Sequence, residues 1–374
     1  MESYLRILFI HINGKILGGI NVTKKVRIGF IGCGFMGQCV HLPSFKRLEN
    51  VEINAICDVR LKLAKAVAER WRIKKVYSSH LDLIEDKEID AVVEITNKFV
   101  HAQIAIDALK AGKDVFTEKP MATTSHDALE MVKTAKKHNQ KLMVGYMKRY
   151  DQGVLKAKRA FHSLAEDDKV IYAKSHLFGG DWICGSPAEK RIETDEPYPK
   201  IPVRFPEFLP KIYENLMDNL LEQIHDINLP RFFLGDPCEV TFSKAWSEGF
   251  ISVLNYGEHP LILEMSSISA DFWDEQLIIY FKNGWIDLRP PPPLLRNVSA
   301  KVHVYRAGKI QRDEFLHGAW IWAFERQAQH FIDCIIKDKE PLSDGLDSYK
   351  DIVIAEDILK TMLKGRPEKI NFSL

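Results

Sequence analysis

The sequence predicts an α/β fold of two domains: a doubly wound parallel sheet, then an α/β domain whose large, open-faced sheet is mostly antiparallel. Three observations support this prediction. The chain has 374 residues, too many for one ordinary hydrophobic core. Strand-like and helix-like segments alternate from Lys25 to about Gly145, as in parallel sheets covered by helices on both faces. After Arg149, strand-like runs follow one another with turn signals between them, which is typical of antiparallel sheets.

Three segments are expected along the chain: an N-terminal extension over residues 1–24, a first domain over 25–148 and a second domain over 149–374. In the extension, the apolar run from Ile7 to Ile12 is interrupted by His11 and is far shorter than a membrane span. We interpret these residues as an appended strand-like or disordered extension, or as the product of an upstream start codon.

The composition is that of an ordinary globular protein, with 46% apolar and 28% charged residues. A formal net charge of +1 gives no reason to expect a nucleic-acid partner, and no apolar window reaches the ~18 residues of a membrane helix. The six cysteines lack the spacing of a zinc site, so we expect no metal, and reduced thiols in a cytoplasmic protein. Small polar molecules are the expected ligands.

The first domain is predicted to hold six strands. They cover residues 26–31, 51–57, 75–77, 89–95, 113–116 and 141–145. In a parallel sheet of this kind, ligands bind beyond the carboxyl ends of the strands.

The second domain is predicted to combine a few helices with seven strands. The helices cover residues 154–164, 213–233, about 319–337, and a last stretch that ends near residue 364. The strands cover residues 170–177, 238–246, 250–256, 260–269, 276–281, 284–288 and 300–306. Tyr256-Gly257 and Asn283-Gly284 have the composition of hairpin turns, and the proline run 290–293 must be a loop or an edge.

A glycine-rich loop follows the first predicted strand. Its residues are Gly32, Cys33, Gly34, Phe35, Met36 and Gly37. The first glycine permits a sharp turn, the second lets backbone amides approach a pyrophosphate, and the third lets helix and strand pack closely. Asp58 ends the next strand, 21 residues past Gly37, where a ribose-binding carboxylate is expected. The two features together predict a nicotinamide dinucleotide cofactor. Asp58 favours NAD, and Arg60 nearby leaves NADP open.

Glu118-Lys119-Pro120 follows the fifth predicted strand, at the sheet edge where the nicotinamide end of the cofactor is expected. A lone lysine is usually a solvated surface charge. Lys119 differs because the following proline restricts its backbone and can form a cis peptide bond. A lysine fixed in a cleft can hydrogen-bond a reacting hydroxyl group.

Several motifs, in this order and at this spacing, resemble the Gfo/Idh/MocA oxidoreductase family, the group of glucose-fructose oxidoreductase and inositol dehydrogenase. The motifs are the glycine loop 32–37, Asp58, Thr96-x-x-x-x-His101, Gly112-Lys113-x-Val115, Glu118-Lys119-Pro120, Gly145-Tyr146-x-x-Arg149-Tyr150-Asp151 and His225-Asp226-x-Asn228. The resemblance runs from about Lys25 to the C-terminus and is densest up to Asp151.

The resemblance implies an NAD(P)-dependent dehydrogenase or reductase that transfers a hydride to or from a sugar, a polyol or a related hydroxy or carbonyl compound. It implies Lys119 and His225 as catalytic residues, and a dimer or tetramer formed through the C-terminal sheet. The implied cofactor contacts are Gly32, Gly34, Phe35, Met36, Gly37, Asp58, Thr96, Asn97, His101, Glu118 and Lys119. The implied substrate contacts are Lys119, Arg149, Tyr150, Trp182, Asp226 and Asn228.

The sequence departs from the family pattern in two places. Leu221 stands four residues before His225, where the family often has an aspartate, and Glu222 or Asp218 would replace it only in part. Asn97 and Lys98 follow Thr96 in place of the usual proline and asparagine. Two alternatives therefore stay open: a non-catalytic sensor of dinucleotide or sugar, and an enzyme that holds NAD firmly and uses oxidation only transiently, as in sugar-bond cleavage.

Overall fold

The structure, a computed structural model, describes residues 25–184, 191–269 and 271–372. The predicted N-terminal extension lies outside these residues. The predicted fold class is confirmed, because a parallel sheet is followed by a larger and mostly antiparallel one.

The first sheet has six parallel strands in the order β3-β2-β1-β4-β5-β6, the order of dinucleotide-binding folds. The strands are β1 (Val26–Ile31), β2 (Val51–Cys57), β3 (Lys75–Tyr77), β4 (Ala91–Glu94), β5 (Asp114–Thr117) and β6 (Leu142–Val144). All six were predicted to within two residues, because buried parallel strands are short apolar runs bounded by turn residues. Strand order reverses between β1 and β4, which places the ligand cleft at their carboxyl ends.

Five helices connect these strands. They are α1 (Leu42–Lys46), which continues a wider helical turn over Gly37–His41, α2 (Leu61–Trp71), α3 (His80–Ile84), α4 (His101–Lys110) and α5 (Ser125–His138). Ser79 and Thr124 begin α3 and α5 by accepting hydrogen bonds from backbone amides two or three residues on. Such side-chain caps satisfy amides that the helix itself leaves unpaired.

The second sheet has nine strands among the described residues, in the order β14-β13-β12-β11-β7-β10-β9-β8-β15. They are β7 (Val170–Gly179), β8 (Glu239–Trp246), β9 (Gly249–Asn255), β10 (Pro260–Ser267), β11 (Trp273–Phe281), β12 (Gly284–Arg289), β13 (Lys301–Arg306), β14 (Arg312–Leu316) and β15 (Glu368–Lys369). The sequence did not predict β14 and β15. The neighbours β7 and β10 are parallel, although every other pair in this sheet is antiparallel.

One face of this sheet is buried and the other is open. On β10, Leu261, Leu263 and Met265 point to the core, while Glu264 between them is half-buried on the other face. This alternation is the period-2 pattern of a sheet covered on one side. The proline run 290–293 lies outside the strands, and both predicted hairpin turns are present.

The helices of the second part of the chain are α6 (Gln152–Ala165), α7 (Glu214–Glu222), α8 (His225–Leu234), α9 (Ala323–Lys337) and α10 (Gly345–Lys364). The prediction of one helix over 213–233 was wrong, since the chain breaks at residues 223–224. Pro230 lies inside α8 and donates no backbone hydrogen bond to the carbonyl of Asp226. The hydroxyl of Ser175 on β7 donates to that carbonyl instead, at 3.2 Å. The break places His225 in the first turn of α8.

Helix α9 packs against the first sheet, although it belongs to the last third of the chain. Phe331 is fully buried, with ring centroids 5.8 Å from Phe116 on β5 and 6.4 Å from Phe45 on α1. The boundary at residue 148/149 stays a prediction, and the packing shows that residues on both sides of it share one core.

No helix within residues 25–184, 191–269 and 271–372 is both long and apolar enough to cross a membrane. All six cysteines lie in these ranges as free thiols.

Candidate active site

The glycine-rich loop between β1 and the first helix has the backbone that a dinucleotide requires. Gly32 has φ +101°, and a Cβ atom there would lie 2.2 Å from the carbonyl oxygen of Ile95. A Cβ on Gly37 would lie 2.4 Å from the carbonyl oxygen of Gly32. At Gly34, in contrast, no heavy atom of the described residues comes within 4 Å of the Cβ position. The loop thus leaves open space at the middle glycine, where a pyrophosphate would approach the backbone.

Asp58 lies directly after β2, where the sequence predicted a ribose-binding carboxylate, and it is buried. Its Oδ2 accepts a hydrogen bond from the backbone amide of Cys33 at 2.8 Å, which ties the glycine loop to β2. Arg60 donates to both oxygens, through its Nε at 3.1 Å and its Nη2 at 3.2 Å. The structure therefore brings Asp58 and Arg60 together at the expected ribose end of the cleft.

The loop after β4 holds Thr96, Asn97 and His101. The amide of Thr96 donates to the carboxylate of Glu94 at 2.9 Å, and the hydroxyl of Thr117 donates to the same carboxylate at 2.5 Å. The Nδ1 of His101 lies 2.9 Å from the carbonyl oxygen of Pro120, and Asn97 forms a local turn. The loops after β4 and β5 are thereby held side by side. Sequence reasoning missed Glu94, which is fully buried at the end of β4.

Glu118 and Lys119 follow β5 at this same edge. The carboxylate of Glu118 contacts the Nε2 of His41 at 2.7 Å and accepts the backbone amide of Lys119 at 2.9 Å. The peptide bond between Lys119 and Pro120 is cis, as the proline allowed. The Nζ of Lys119 donates to the carbonyl oxygen of Glu222 at 2.7 Å, so the lysine reaches across to the C-terminal end of α7.

Glu222 forms ion pairs with two lysines. Its carboxylate lies 3.4 Å from the Nζ of Lys119 and 2.5 Å from the Nζ of Lys98. Partial burial favours the protonated carboxyl of Glu222, but the ammonium groups of Lys119 and Lys98 outweigh it and lower the pKa of Glu222 to about 2. Asp218 also pairs with Lys98, at 2.7 Å. Both acids that the sequence offered as partial partners for His225 are therefore engaged by lysines.

His225 is buried, and its ring meets that of Tyr146 edge to face at 5.6 Å. Its Nδ1 is buried and has no hydrogen-bond partner among the described residues. Burial, and then the charges of Lys148 and Lys119, hold the pKa of His225 well below its usual value of 6.5. The imidazole is therefore neutral at neutral pH and able to accept a proton.

A buried ionic group lies beside His225. The Nζ of Lys148 is 2.6 Å from Oε1 of Glu275 on β11 and 3.6 Å from Oδ2 of Asp226. Burial, together with repulsion by Glu275, raises the pKa of Asp226 to about 7, although Lys148 opposes the shift. We call Lys119, Lys148, His225, Asp226 and Glu275 the reaction cluster. Sequence reasoning missed Lys148 and Glu275. Glu275 left one signal, an acid at an inward position of a strand that continues with Leu277 and Ile279.

Arg149 and Asn228, both predicted as substrate contacts, are hydrogen-bonded to each other and to other parts of the fold. The guanidinium of Arg149 donates to the side chain of Asn228 at 2.7 Å and to the carbonyl oxygen of Leu342 at 3.1 Å. Asn228 in turn donates to Asp351 on α10 at 2.7 Å. Tyr150 is buried with its hydroxyl 2.9 Å from that of Ser343. The partners of these three side chains lie on α8, on α10 and in the loop that precedes α10, and their role as substrate contacts stays a prediction.

Trp182 lies at the glycine loop, where its ring meets that of Phe35 edge to face at 5.7 Å. It is 38% exposed, so part of the indole faces the solvent. Met36, beside Phe35, packs against the core of the first sheet. The structure thus places Trp182 near the predicted cofactor contacts.

The strand order, the glycine loop and the acid after β2 together define a dinucleotide-binding protein. Residues 26–146 match the family model GFO_IDH_MocA, described as an oxidoreductase family with an NAD-binding Rossmann fold. The predicted resemblance is confirmed: residues 26–146 match the Gfo/Idh/MocA oxidoreductases, an NAD-binding family.

Curated relatives support the same assignment. Inositol 2-dehydrogenase of Salmonella typhimurium is 34% identical over 144 residues, which are 37% of this chain and 42% of the relative. The chain thus matches less than half of that protein's length. An inositol 2-dehydrogenase/D-chiro-inositol 3-dehydrogenase of Halalkalibacterium halodurans is 25% identical over 362 residues, 92% of this chain and 94% of the relative. A solved NAD-binding oxidoreductase of Klebsiella pneumoniae has the same fold, with a TM-score of 0.77 at 17% identity, over 93% of this chain and 100% of that one.

Proposed function

We propose that this protein is an oxidoreductase that moves a hydride between a nicotinamide dinucleotide and a hydroxyl-bearing carbon of a sugar or polyol. One observation carries the proposal: Lys119, at the edge of the dinucleotide-binding sheet, is hydrogen-bonded to Glu222, three residues before His225. His225 is buried and neutral, and its Nδ1 has no hydrogen-bond partner among the described residues. A lysine donor and a neutral imidazole at one cleft can supply two functions of alcohol oxidation, stabilisation of the alkoxide and acceptance of the proton. A dinucleotide bound by this fold would supply the third function, transfer of the hydride.

The residues at the sheet edge fit the cofactor. The open backbone at Gly34 would hold the pyrophosphate, and Asp58 with its Arg60 partner would face the adenosine ribose. Thr96, His101 and Glu118 would line the path to the nicotinamide end. The bound dinucleotide supplies the hydride acceptor or donor.

Within this cleft His225 takes the proton of the substrate hydroxyl while Lys119 stabilises the developing alkoxide through its Nζ. A neutral imidazole can accept the proton throughout the pH range above 6.5, because its pKa lies well below that value. Each proton-transfer role of this kind is worth about 10²–10⁴ in rate.

Asp226 and Trp182 are the proposed substrate contacts beside Lys119. Oδ2 of Asp226 is buried and forms no hydrogen bond among the described residues, so it is free to accept one from a polyol hydroxyl. Lys148, which is itself paired with Glu275, holds Asp226 in place. A polar, partly ionised group of this kind suits a substrate with several hydroxyl groups better than an apolar alcohol.

The test is a screen of inositols, aldoses, polyols and their keto forms with NAD⁺ and NADP⁺, read at the absorbance of the reduced ring. Lys119→Ala is expected to lower kcat at least a hundredfold while dinucleotide binding, measured by calorimetry, is retained. Lys98→Ala is the matched control, since its ammonium pairs with the same Glu222. Turnover by Lys119→Ala at the wild-type rate would remove Lys119 from the reaction, and failure to bind either dinucleotide would end the proposal.

The same experiments separate the two alternatives. A non-catalytic sensor would bind dinucleotide and show no turnover with any compound, although a sensor has no need of Lys119 beside a neutral His225. An enzyme that holds NAD firmly would be purified with the dinucleotide bound and would release no NADH during turnover.

A homo-oligomer, dimer or tetramer, in the cytoplasm is part of the proposal. The open face of the second sheet carries exposed aromatic side chains, among them Phe242, Trp246 and Phe315 at 48%, 46% and 65% exposure. Large apolar side chains exposed at several places on one sheet face favour an interface between proteins. The free thiols support a reducing compartment. Sedimentation equilibrium tests the assembly: a monomer at micromolar concentration would contradict it.

A further inference from the structure

A short part of the second half of the chain lies across the predicted nucleotide end of the cleft. We call residues 191–198 the crossing segment. The amide of Ile192 donates to the side-chain oxygen of Gln38 at 2.7 Å, and the side-chain nitrogen of Gln38 donates back to the carbonyl oxygen of Ile192 at 3.0 Å. Gln38 also donates to the carbonyl oxygen of Cys33 at 2.7 Å, so the segment is fixed to the glycine loop itself.

The loop between β2 and α2 is the part of a Rossmann fold that distinguishes NAD from NADP. Here the loop and the first turn of α2 together carry two cations, Arg60 and Lys62, against one carboxylate, Asp58. The first amides of α2 point out of the same loop, and a helix N-terminus favours anions. The loop by itself would therefore suit the extra phosphate of NADP.

The crossing segment changes this balance of positive and negative charge. The carboxylate of Glu196 accepts the amides of Lys62 and Leu63, each at 2.9 Å, and so occupies the start of α2. Asp195 accepts both its hydrogen bonds from the Nζ of Lys62, at 3.0 and 3.1 Å. The loop, the start of α2 and the crossing segment then carry four carboxylates against three cations, namely Asp58, Glu193, Asp195 and Glu196 against Arg60, Lys62 and Arg191.

Arg60 is engaged from two sides. Its guanidinium pairs with Asp58, and the ring of Tyr198 covers it at 4.3 Å. The arginine, the lysine and the backbone amides that would bind a phosphate are thus all paired already. The lysine and the amides are bonded to carboxylates of the crossing segment.

We infer that Asp195 and Glu196 make the site selective for NAD(H) by excluding the 2′-phosphate of NADP(H), an inference that rests on the proposed function. A phosphate monoester carries about two negative charges at neutral pH. To bind here it would have to displace Glu196 from the amides and leave that carboxylate beside it. The ribose hydroxyls of NAD(H) bring no charge and meet no such penalty.

The experiment compares wild type with the double variant Asp195→Asn/Glu196→Gln, which keeps the size of both side chains. Affinities for NADH, NADPH, 5′-AMP and 2′,5′-ADP are measured by calorimetry. Wild type is expected to prefer NADH to NADPH by at least tenfold, and the double variant to reduce that preference at least tenfold, mainly by tighter NADPH binding. The fragments are expected to change in parallel. Glu193→Gln is the matched control, since its carboxylate pairs with Arg191 in the same segment and not with the loop.

The outcomes distinguish this inference from the proposed function. Wild type that binds neither dinucleotide ends the proposed function. Wild type that prefers NADPH, or a folded double variant with an unchanged preference, overturns the inference alone. If the double variant does not fold, a titration of wild type with salt decides. Repulsion by carboxylates weakens as salt rises, so the preference for NADH should narrow between 0.05 and 0.5 M NaCl, and a constant preference would contradict the inference.

Discussion

Helix α8 carries two groups of polar side chains that differ in how completely they are hydrogen-bonded. In its first turn, His225 and Asp226 belong to the reaction cluster, and each has a buried atom without a hydrogen bond among the described residues. Farther along, Arg231 directs its guanidinium to Asp236, Asp347 and Asp351, with five donor contacts between 2.5 and 3.0 Å. We call Arg149, Asn228, Arg231, Asp347 and Asp351 the α8 network.

The difference between the two groups indicates that residue type alone does not predict whether a polar side chain binds a ligand or is bonded within the fold. Asp226 and Asn228 stand two positions apart, and the sequence assigned both to the substrate. Asn228 is bonded to Arg149 and Asp351, whereas Asp226 keeps an unused acceptor. A buried polar atom without a partner costs free energy, so a site where such atoms gather is a candidate for ligand binding.

The largest expected effect lies in the reaction cluster. His225→Gln keeps a polar side chain of similar size but removes the proton acceptor, and we expect kcat to fall by about 10²–10⁴. Dinucleotide affinity and the melting temperature should change little. Steady-state kinetics and calorimetry measure the three quantities, with His80→Gln, which removes a surface pair with Asp107, as the control. A variant that keeps wild-type kcat would assign His225 to packing.

The α8 network should respond in the opposite way. Arg231→Met leaves Asp351 buried and without its cation, which typically costs about 3–5 kcal/mol of stability. Urea denaturation measures the free energy of unfolding, and kcat of the folded variant should stay within severalfold of wild type. Arg289→Met is the control, because its half-exposed pair with Asp287 is worth at most about 1 kcal/mol. A stable Arg231→Met variant without activity would make the network part of the reaction site.

A smaller effect is expected in the pH dependence of stability. The pKa of Asp226 is raised from 3.8 to about 7 by burial and by Glu275, so the folded protein binds a proton that the unfolded chain has lost. This contribution to stability is fully present below pH 3.8 and is lost as pH rises through about 7. Asp226→Asn should therefore gain stability relative to wild type between pH 5 and 7 and then level off.

Urea denaturation at several pH values measures this difference. Asp338→Asn is the control, because Lys141 lowers the pKa of that carboxyl and its contribution is lost only at acid pH. A difference that shrinks between pH 5 and 7 would contradict the assignment for Asp226.

The smallest effect is expected at Glu222. Glu222→Gln removes a carboxylate that is 55% exposed, and the Nζ of Lys119 keeps its bond to the backbone carbonyl. Surface ion pairs of this kind are worth about 0–1 kcal/mol, so kcat should change by no more than about fivefold. A loss as large as that of His225→Gln would identify Glu222 as the acid that the sequence lacks at Leu221.

The first sheet could be predicted almost residue by residue because each of its strands carries a local signal. The second sheet could be predicted only in part. The edge strands β14 and β15 are short and polar, and the parallel pairing of β7 with β10 joins segments 88 residues apart at His176 and Glu264. At the start of α8, the hydroxyl of Ser175 donates to the carbonyl oxygen of Asp226, which Pro230 leaves without its helical donor. Contacts between residues so far apart in the chain leave no periodic pattern in the sequence.

The same reasoning applies to the candidate site. Motifs at the ends of neighbouring strands predicted Asp58, His101 and Lys119 as contacts of one cofactor. Lys148 and Glu275 were missed because their contact spans 127 residues. Arg149 stood in a motif and was predicted as a substrate contact, and the motif gave no sign of its hydrogen bonds to α8 and to the loop before α10.

The return of α9 to the first sheet means that a sequence match and a folding unit need not share the same ends. The matched family segment stops at residue 146, yet Phe45 and Phe116 within it are covered by Phe331, nearly two hundred positions later. A fragment cut at the end of the match would present those rings to water. The nucleotide-binding half of this chain is therefore complete only when its last third has been synthesised.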